Sequence, residues 1–315
     1  MSRKVTIIGA GSVGSTIAFM VAVKGIAAEI VIIDINEKKA LGEAMDIRQG
    51  IAFCDPCKIY AGTYADAKGS DIVVITSGVG RKPGQSRLDL AQTNVNIMKS
   101  IAAEVSAAAP DAIYVIVSNP VDVLTYVFNK VTGIPESHIL GTGTLLDTAR
   151  LRSRLADYLS VSQQSVHAYV LGEHGDSSFV PWSSARVSNV PIAQFKDCVT
   201  NKDLIKADLN YEEIEEYMRT SGGKIIARKG ATFYAIAISV CHICGCIFDN
   251  ANAIVAVSTM MHGEYGISDV CLSVPTIVNA SGHIGKVLPE MTDEEIAKLR
   301  RSADALKEVI AQINL

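Results

Sequence analysis

The sequence predicts an α/β protein in which a doubly wound parallel sheet is followed by an α+β domain. In the first half of the chain, short apolar runs alternate with helical patterns, and each run is continuously apolar. Such runs are typical of parallel strands that are covered on both faces. A glycine-rich turn follows the first run, and the pattern changes near residue 143, so we expect domains at 1–143 and 144–315.

The elements of the first domain follow from this alternation of apolar runs and helical patterns. Strands are predicted over 5–8, 29–33, 71–76 and 112–117. Helices are predicted from the glycine-rich turn to about residue 24, over 88–108 and over 121–132.

The second domain has a different pattern, with charge-rich helices and longer strands. Helices are predicted over 145–158, 203–220 and 230–248, and strands over 165–171, 253–261 and 270–278. Near the C-terminus, Thr292 and Glu295 have the spacing of a capping box, and apolar residues then follow at spacings of three and four. The chain is therefore predicted to end in an amphipathic helix.

Composition and charge exclude several classes of protein. The 315 residues are 49% hydrophobic and 20% charged, which excludes a disordered chain. Lys and Arg number 29 and Asp and Glu number 33, so the net charge is −4 and no nucleic-acid partner is expected. The seven cysteines are scattered along a long chain, which favours reduced thiols and a cytoplasmic location.

Two uncharged segments imitate membrane signals. Residues 5–23 follow two basic residues, as in a signal peptide, but glycines interrupt the apolar run. Residues 230–248 approach the length of a membrane span, but they include Thr232, Ser239 and His242. We therefore expect a buried helix in a large core and no membrane association.

The turn between the first strand and the first helix has a cofactor-binding pattern. Gly9, Gly11 and Gly14 form G-x-G-x-x-G, and the second strand ends in Asp34, 20 residues after Gly14. The glycines allow a pyrophosphate to approach the helix N-terminus closely. A carboxylate at Asp34 accepts hydrogen bonds from ribose hydroxyls and repels a 2′-phosphate, so NAD is preferred over NADP. The sequence therefore predicts a Rossmann domain, and the alternative is a strand-turn-helix whose glycines serve packing alone.

The chemistry of the second domain is predicted around His174. It lies in Gly-Glu-His-Gly-Asp after the predicted strand 165–171, and a histidine that titrates near neutral pH can exchange a proton with a hydroxyl group. Asp147 is the candidate carboxylate partner, and Arg150, three residues later, shares its helix face. Arg152 points away from that face. The alternative is a surface helix with solvated ion pairs.

These motifs together resemble the family of NAD-dependent L-lactate and malate dehydrogenases over essentially the whole chain. The matching segments are GAGSVG, IIDIN, RKPGQSRLDL, VSNPVD, LDTARLR and GEHGD. The resemblance implies that His174 is the proton-transferring acid/base and that Asp147 is its orienting carboxylate. It also implies that Arg150 binds the substrate carboxylate with its planar guanidinium fork.

The resemblance adds site residues that spacing alone does not identify. It implies that Arg87 polarises the reacting carbonyl and that Thr232 lines the substrate pocket. Asn119 is expected at the nicotinamide, where it contributes to cofactor and substrate binding. Residues 78–87 are glycine-rich and cationic, which is typical of a mobile lid, and a solvated cationic turn is the alternative.

Arg81 favours a malate-type substrate, although the rest of the chain resembles the lactate branch of the family. Lactate-selective members usually carry glutamine six residues before the arginine that matches Arg87, and the resemblance associates arginine there with malate and oxaloacetate. In a closed pocket, Arg81 beside a methyl group would be an unpaired buried cation, at a cost of about 3–5 kcal/mol. Malate and oxaloacetate are therefore favoured. L-Lactate and pyruvate are the alternative substrates, supported by Leu88, Glu173 and Trp182. A non-catalytic NAD-binding protein with a structural or sensing role is the alternative from another functional class.

A regulatory site is a further expectation from the resemblance. Some bacterial lactate dehydrogenases are tetramers activated by fructose 1,6-bisphosphate, and the residues that they use match Arg152 and His167. His167 and His174 are seven residues apart, so alternation along the predicted strand places them on opposite faces. We expect a homo-oligomer, either tetramer or dimer, that binds the bisphosphate through this pair, and a subunit interface without an effector is the alternative.

Two C-x-x-C pairs raise the question of a metal site. They are formed by Cys54 with Cys57 and by Cys241 with Cys244. The pairs lie far apart in sequence, and the second lies in the uncharged helix, where cysteine is commonly a small buried hydrophobic residue. We therefore expect no metal, and we expect His242 to be a core histidine.

Overall fold

Parallel strands from the first half of the chain form one side of a large sheet. The computed structural model describes residues 3–80, 87–206 and 208–315. The strands are β1 (Lys4–Ile8), β2 (Glu29–Ile33), β3 (Lys58–Ala61), β4 (Ile72–Ile75), β5 (Ile113–Ile116) and β6 (Ile139–Gly141). Neighbours run parallel in the order β3-β2-β1-β4-β5-β6. The strand order reverses between β1 and β4, where doubly wound sheets bind ligands, and the predicted sheet is confirmed.

Helices cover both faces of these strands. They are α1 (Ser12–Val23), α2 (Glu37–Gly50), α3 (Arg87–Ala108) and α4 (Val121–Val131). In β4, Val73 and Ile75 belong to the core on one face, while Ile72 and Val74 belong to the core on the other. A strand covered in this way has no polar side, which explains its continuously apolar sequence.

The second half of the chain adds strands to the same sheet. Its elements are α5 (Leu145–Leu159), β7 (Val166–His167), β8 (Arg186–Val187), β9 (Val190–Pro191), α6 (Phe195–Cys198), α7 (Tyr211–Lys229), α8 (Tyr234–Phe248), β10 (Ala253–His262), β11 (Ser268–Asn279), β12 (Gly282–Lys286) and α9 (Asp293–Ile310). β10 pairs antiparallel with β6 through Ser258 and Gly141, and β11 and β12 follow it. Over the described ranges, the sheet has nine strands, and β7, β8 and β9 form a small separate sheet.

The strand predicted over 165–171 is much shorter in the structure. Only β7 forms a ladder there, and the rest of the segment makes a single bridge between Leu171 and Phe179. Strand alternation therefore does not extend from His167 to His174. The prediction that these two histidines lie on opposite faces of one strand is therefore wrong.

Side-chain caps mark where two of the later helices begin. The helix predicted over 203–220 begins later, at α7, because the Asn210 side chain accepts a hydrogen bond from Glu213 N. The capping box predicted at α9 is confirmed. Thr292 Oγ1 accepts from Glu295 N at 3.3 Å, and Glu295 Oε2 accepts from Thr292 N at 3.0 Å.

The uncharged segment predicted as a buried helix is α8, which packs against α1. Cys241 and Cys244 are buried in the core, but His242 is exposed, so the prediction of a core histidine is wrong. One residue step turns a helix by about 100°, which moves position 242 off the buried face. All seven cysteines are free thiols.

Membrane-spanning helices and clusters of metal-ligating side chains are both absent from the described residues. In those ranges, no helix is long and apolar enough to cross a membrane. The same part of the chain contains no group of His, Cys, Asp and Glu side chains that could hold a metal ion.

Candidate active site

Two of the three glycines in the turn after β1 are required by the backbone of the turn itself. Gly9 has a φ of +109°, and a Cβ atom on Gly14 would lie 1.8 Å from the Gly9 carbonyl oxygen. A Cβ atom on Gly11 would meet no atom within 4 Å. Gly9 and Gly14 are therefore required by the fold. Gly11 instead leaves open space at the start of α1, where backbone N–H groups can bind an anion.

Asp34 follows β2 and lies against the same turn. Its Oδ2 accepts a hydrogen bond from Ala10 N at 2.6 Å, and its Oδ1 accepts from Asn36 N at 2.8 Å. The carboxylate borders a cleft of ≈ 550 Å³ whose lining also includes Gly11 and Val79. Because a carboxylate here suits ribose hydroxyls and repels a 2′-phosphate, the cleft fits NAD.

His174 and Asp147 form a pair suited to proton transfer. His174 Nδ1 lies 2.5 Å from Asp147 Oδ2, and the Asp147 side chain is only 5% exposed. Burial opposes a charge on His174, but the carboxylates of Asp147 and Asp122 outweigh it and raise the His174 pKa above its ordinary value. Since Nδ1 faces Asp147, Nε2 is the ring nitrogen that can exchange a proton with a bound molecule.

Arg150 contacts the other oxygen of the same carboxylate. Its Nη1 donates to Asp147 Oδ1 at 2.7 Å, so the helix face that the spacing predicts is confirmed. Burial favours a higher pKa for Asp147, but His174 and Arg150 hold that pKa below its usual value and keep the carboxylate charged. Helix α7 approaches from the side, since a Cβ atom on Gly222 would lie 3.5 Å from Arg150 Nη2.

The two residues before His174 are held by other parts of the second half. Gly172 and Ser273 on β11 exchange both of their backbone hydrogen bonds, at 3.0 and 3.1 Å. Glu173 N donates to Ser302 Oγ on α9 at 2.7 Å. The segment that carries His174 is therefore fixed to the sheet and to the last helix.

Asp122 holds the backbone of His174, a role that the sequence analysis misses. His174 N donates to Asp122 Oδ2 at 2.7 Å, and Ser258 Oγ donates to Asp122 Oδ1 at 2.6 Å. Asp122 is 2% exposed. Burial raises its pKa to about 6 in spite of these hydrogen bonds. Its partners are 52 and 136 residues away, so in the sequence it resembles an ordinary acidic residue in the first turn of a helix.

Two of the other predicted substrate residues lie in described connections, and the other two lie wholly or partly outside the described residues. Asn119 is exposed directly beyond β5, and Thr232 is half-buried in the connection between α7 and α8. Arg81 lies outside the described residues, as do most of the predicted lid and the side chain of Arg87 at the start of α3. The roles of these four residues stay predictions.

Arg152 packs beside the segment that carries His167. Arg152 Nε donates to Ala168 O at 3.2 Å, and its guanidinium carbon lies 5.2 Å from the centre of the Tyr169 ring. His167 itself is exposed. Arg152 therefore contacts the two residues that follow His167, and the effector role of Arg152 and His167 stays a prediction.

Family models match almost the whole chain. The model of the lactate/malate dehydrogenase NAD binding domain matches residues 3–141, and that of the alpha/beta C-terminal domain matches residues 144–314. The L-lactate dehydrogenase of Acetivibrio thermocellus is 44% identical over 99% of this chain and 98% of its own length. That of Thermoanaerobacter pseudethanolicus is 42% identical over 99% of this chain and 100% of its own length. The crystal structure of the minor L-lactate dehydrogenase of Enterococcus mundtii has a TM-score of 0.94 at 40% identity, covering 100% of this chain and 99% of that one.

Alanine at Gly11 and alanine at Gly14 should affect different properties. Gly14→Ala forces a methyl group into the Gly9 carbonyl, and we expect a loss of about 3–5 kcal/mol in the free energy of unfolding. Gly11→Ala places its methyl group in open space, so thermal stability should be kept while NADH binding weakens by about tenfold, or ~1.4 kcal/mol. Thermal melting and NADH fluorescence titration measure the two effects. A stable Gly14→Ala or an unchanged NADH affinity in Gly11→Ala would contradict this assignment.

Removing the Asp122 carboxylate should destabilise the protein. Asp122→Ala leaves the buried His174 N–H without its acceptor, so urea unfolding should show a loss of about 1–3 kcal/mol or more. Asp122→Asn is the matched control, because its amide still offers an acceptor to His174 N and a donor to Ser258. Equal stability of Asp122→Ala and the unmodified protein would show that this contact is unimportant.

The difference in stability between the unmodified protein and Asp122→Asn should depend on pH. The folded pKa of Asp122, about 6, lies above that of an unfolded aspartate. The folded state therefore binds the extra proton between about pH 4 and 6, and the contribution of Asp122 to stability falls as pH rises through that window. Relative to Asp122→Asn, the unmodified protein should lose about 1–3 kcal/mol between the low and the high end.

Proposed function

Because the chain belongs to the lactate/malate dehydrogenase family, we propose that it is an L-lactate dehydrogenase that interconverts L-lactate and pyruvate. It is an NAD-dependent oxidoreductase that acts on CH–OH groups, so the prediction of an enzyme is confirmed and the structural or sensing alternative is not retained. The observation that carries the proposed dehydrogenase chemistry is the meeting of His174 and Arg150 at the Asp147 carboxylate. The relatives described above are L-lactate dehydrogenases and favour lactate over the malate prediction.

In the proposed reaction, each residue of this group has one role. Bound NAD supplies the hydride acceptor for lactate oxidation, and its reduced form supplies the donor for pyruvate reduction. His174 Nε2 gives its proton to the carbonyl oxygen in reduction and takes it from the hydroxyl in oxidation. Asp147 orients the ring and stabilises the imidazolium. Arg150 binds the substrate carboxylate, because a guanidinium has more N–H donors than the bond to Asp147 uses.

Further parts of the proposal rest on sequence resemblance. Arg87 polarises the carbonyl, Asn119 binds at the nicotinamide, and Thr232 lines the pocket. We propose that residues 1–143 bind NAD and that residues 144–315 provide the substrate site.

Malate dehydrogenase is the second candidate, and one sequence feature favours it. Arg81 occupies the position where the family's malate enzymes carry arginine. The second carboxylate of oxaloacetate would pair with this cation, whereas pyruvate would leave it unpaired.

We also propose that the enzyme is a homo-oligomer. Large apolar side chains are exposed on neighbouring helices, including Phe19 on α1, Leu41 on α2 and Ile238 on α8, which supports burial against another copy. Activation by fructose 1,6-bisphosphate at Arg152 and His167 and a cytoplasmic location also belong to this proposal. The free thiols support a reducing compartment.

Steady-state kinetics with two ketoacids decide the substrate. We expect a higher kcat/KM for pyruvate than for oxaloacetate, and Arg81→Gln should widen that preference by about tenfold or more, since it removes a cation that suits only the dicarboxylate. Lys82→Gln is the control for loss of a neighbouring positive charge. A higher kcat/KM for oxaloacetate establishes the second candidate, and repeating each assay with the bisphosphate tests activation through a fall in the pyruvate KM.

The pH profile tests the role of the His174–Asp147 pair. Pyruvate reduction needs protonated His174, so its kcat/KM should fall as pH rises through the His174 pKa, which Asp147 holds above the ordinary value. Lactate oxidation should rise through the same pKa. In Asp147→Asn the inflection should move to lower pH by about one unit or more, with kcat/KM lower by at least about a hundredfold. Asp157→Asn, on an exposed part of the same helix, should leave the inflection in place, and an unmoved inflection in Asp147→Asn would refute the role.

A further inference from the structure

Asn94 is a buried amide that joins the ends of two strands. It lies on α3 and is 2% exposed. Its Oδ1 accepts a hydrogen bond from Val79 N at 2.9 Å, while its Nδ2 donates to Val79 O at 3.1 Å and to Asn119 O at 2.8 Å. The acceptor and both N–H donors of one side chain therefore bind the backbone just beyond β4 and just beyond β5.

These contacts lie beside one end of the NAD cleft. Val79 and Asp34 both line that cleft. In the strand order, β2 and β4 lie on opposite sides of β1, and β5 lies beyond β4. Since the carboxylate after β2 suits the ribose of the adenosine half, the nicotinamide half extends toward the ends of β4 and β5.

The backbone near Asn94 is packed closely around its amide. A Cβ atom on Gly78 would lie 3.3 Å from Asn94 Oδ1, so glycine allows the chain to approach. Val79 and Asn119 are exposed, but the Asn94 side chain that binds both of their backbones is buried. Without this amide, the two strand ends would lose the side chain that holds them at a fixed separation.

We propose that Asn94 is a positioning residue for hydride transfer, because it sets the separation between the Val79 and Asn119 backbones and so the width of the cleft around the nicotinamide ring. This inference rests on the proposed function, since it concerns the same NAD-dependent reaction. Asn94 acts through the two strand ends. Its replacement should therefore alter the binding of the nicotinamide half of the cofactor and leave the adenosine half unaffected.

The test compares NADH with ADP-ribose, which lacks the nicotinamide. In Asn94→Asp the carboxylate still accepts from Val79 N but repels the Val79 and Asn119 carbonyl oxygens. Fluorescence and calorimetric titrations should give a Kd for NADH that rises by about tenfold and a Kd for ADP-ribose that stays within about twofold. Because small displacements of reacting groups are costly, kcat for pyruvate reduction should fall by about tenfold to a hundredfold.

Asn96→Asp is the matched control, since it makes the same chemical change two residues along α3. Asn96 is exposed and accepts a hydrogen bond from Gln92 Nε2 at 2.9 Å within the helix. This variant should match the unmodified enzyme in both affinities and in kcat. If Asn94→Asp does not fold, Asn94→Ser, which keeps one donor, provides the same comparison.

Two outcomes would overturn the role of Asn94. One is an equal loss of affinity for NADH and ADP-ribose, which indicates a general structural role. The other is an Asn94 variant that behaves like Asn96→Asp. The two binding measurements need no turnover, so an enzyme that reduces no ketoacid would refute the proposed function while the affinities still decide the role of Asn94.

Discussion

His174 must be held at its ring and at its backbone simultaneously, and this requirement connects elements from both halves of the chain. Asp147 on α5 binds the ring, and Asp122 on α4 binds the backbone N–H. The two preceding residues, Gly172 and Glu173, are bound to β11 and α9. Because each lost buried hydrogen bond leaves an unpaired polar group, none of these elements can shift without cost to the others. The segment around the proton-transfer group is therefore rigid, although it has almost no regular secondary structure.

The large sheet connects the residues that hold His174 to the cofactor cleft. β5, which ends just before Asn119, pairs with β6. β6 in turn pairs with β10 through Gly141 and Ser258. Ser258 also donates to Asp122, so the joint between the two halves of the sheet contacts the anchor of His174. A second domain with a separate sheet could move relative to the first as a body. Extension of one sheet instead fixes the distance between the cofactor cleft and the segment that carries His174.

The sequence predicts those features that depend on neighbours in the chain. The apolar run of β4 and the spacing of Asp147 and Arg150 are local patterns, and both are found as predicted. Short strands such as β6, β8 and β9 are too brief to show a period, so the sequence analysis misses them. Asp122 and Asn94 are missed for another reason. Their hydrogen-bond partners are brought to them by the fold, and a polar residue in a helix gives no sign of which distant backbone group it will bind.

Asp147 couples the two halves of the proposed chemistry through its separate oxygens. Oδ2 faces His174 and Oδ1 faces Arg150, so the proton-transfer group and the carboxylate-binding group share one buried anion. The positive charge of Arg150 lowers the His174 pKa, in opposition to Asp147. The negative charge of a substrate carboxylate bound to Arg150 would offset that positive charge and so raise the His174 pKa. By linkage, the proposed ketoacid substrate should bind more tightly when His174 is protonated, which is the state that the proposed reduction requires. Under the proposed function, substrate binding at Arg150 thus favours the presence of the proton that the reaction consumes.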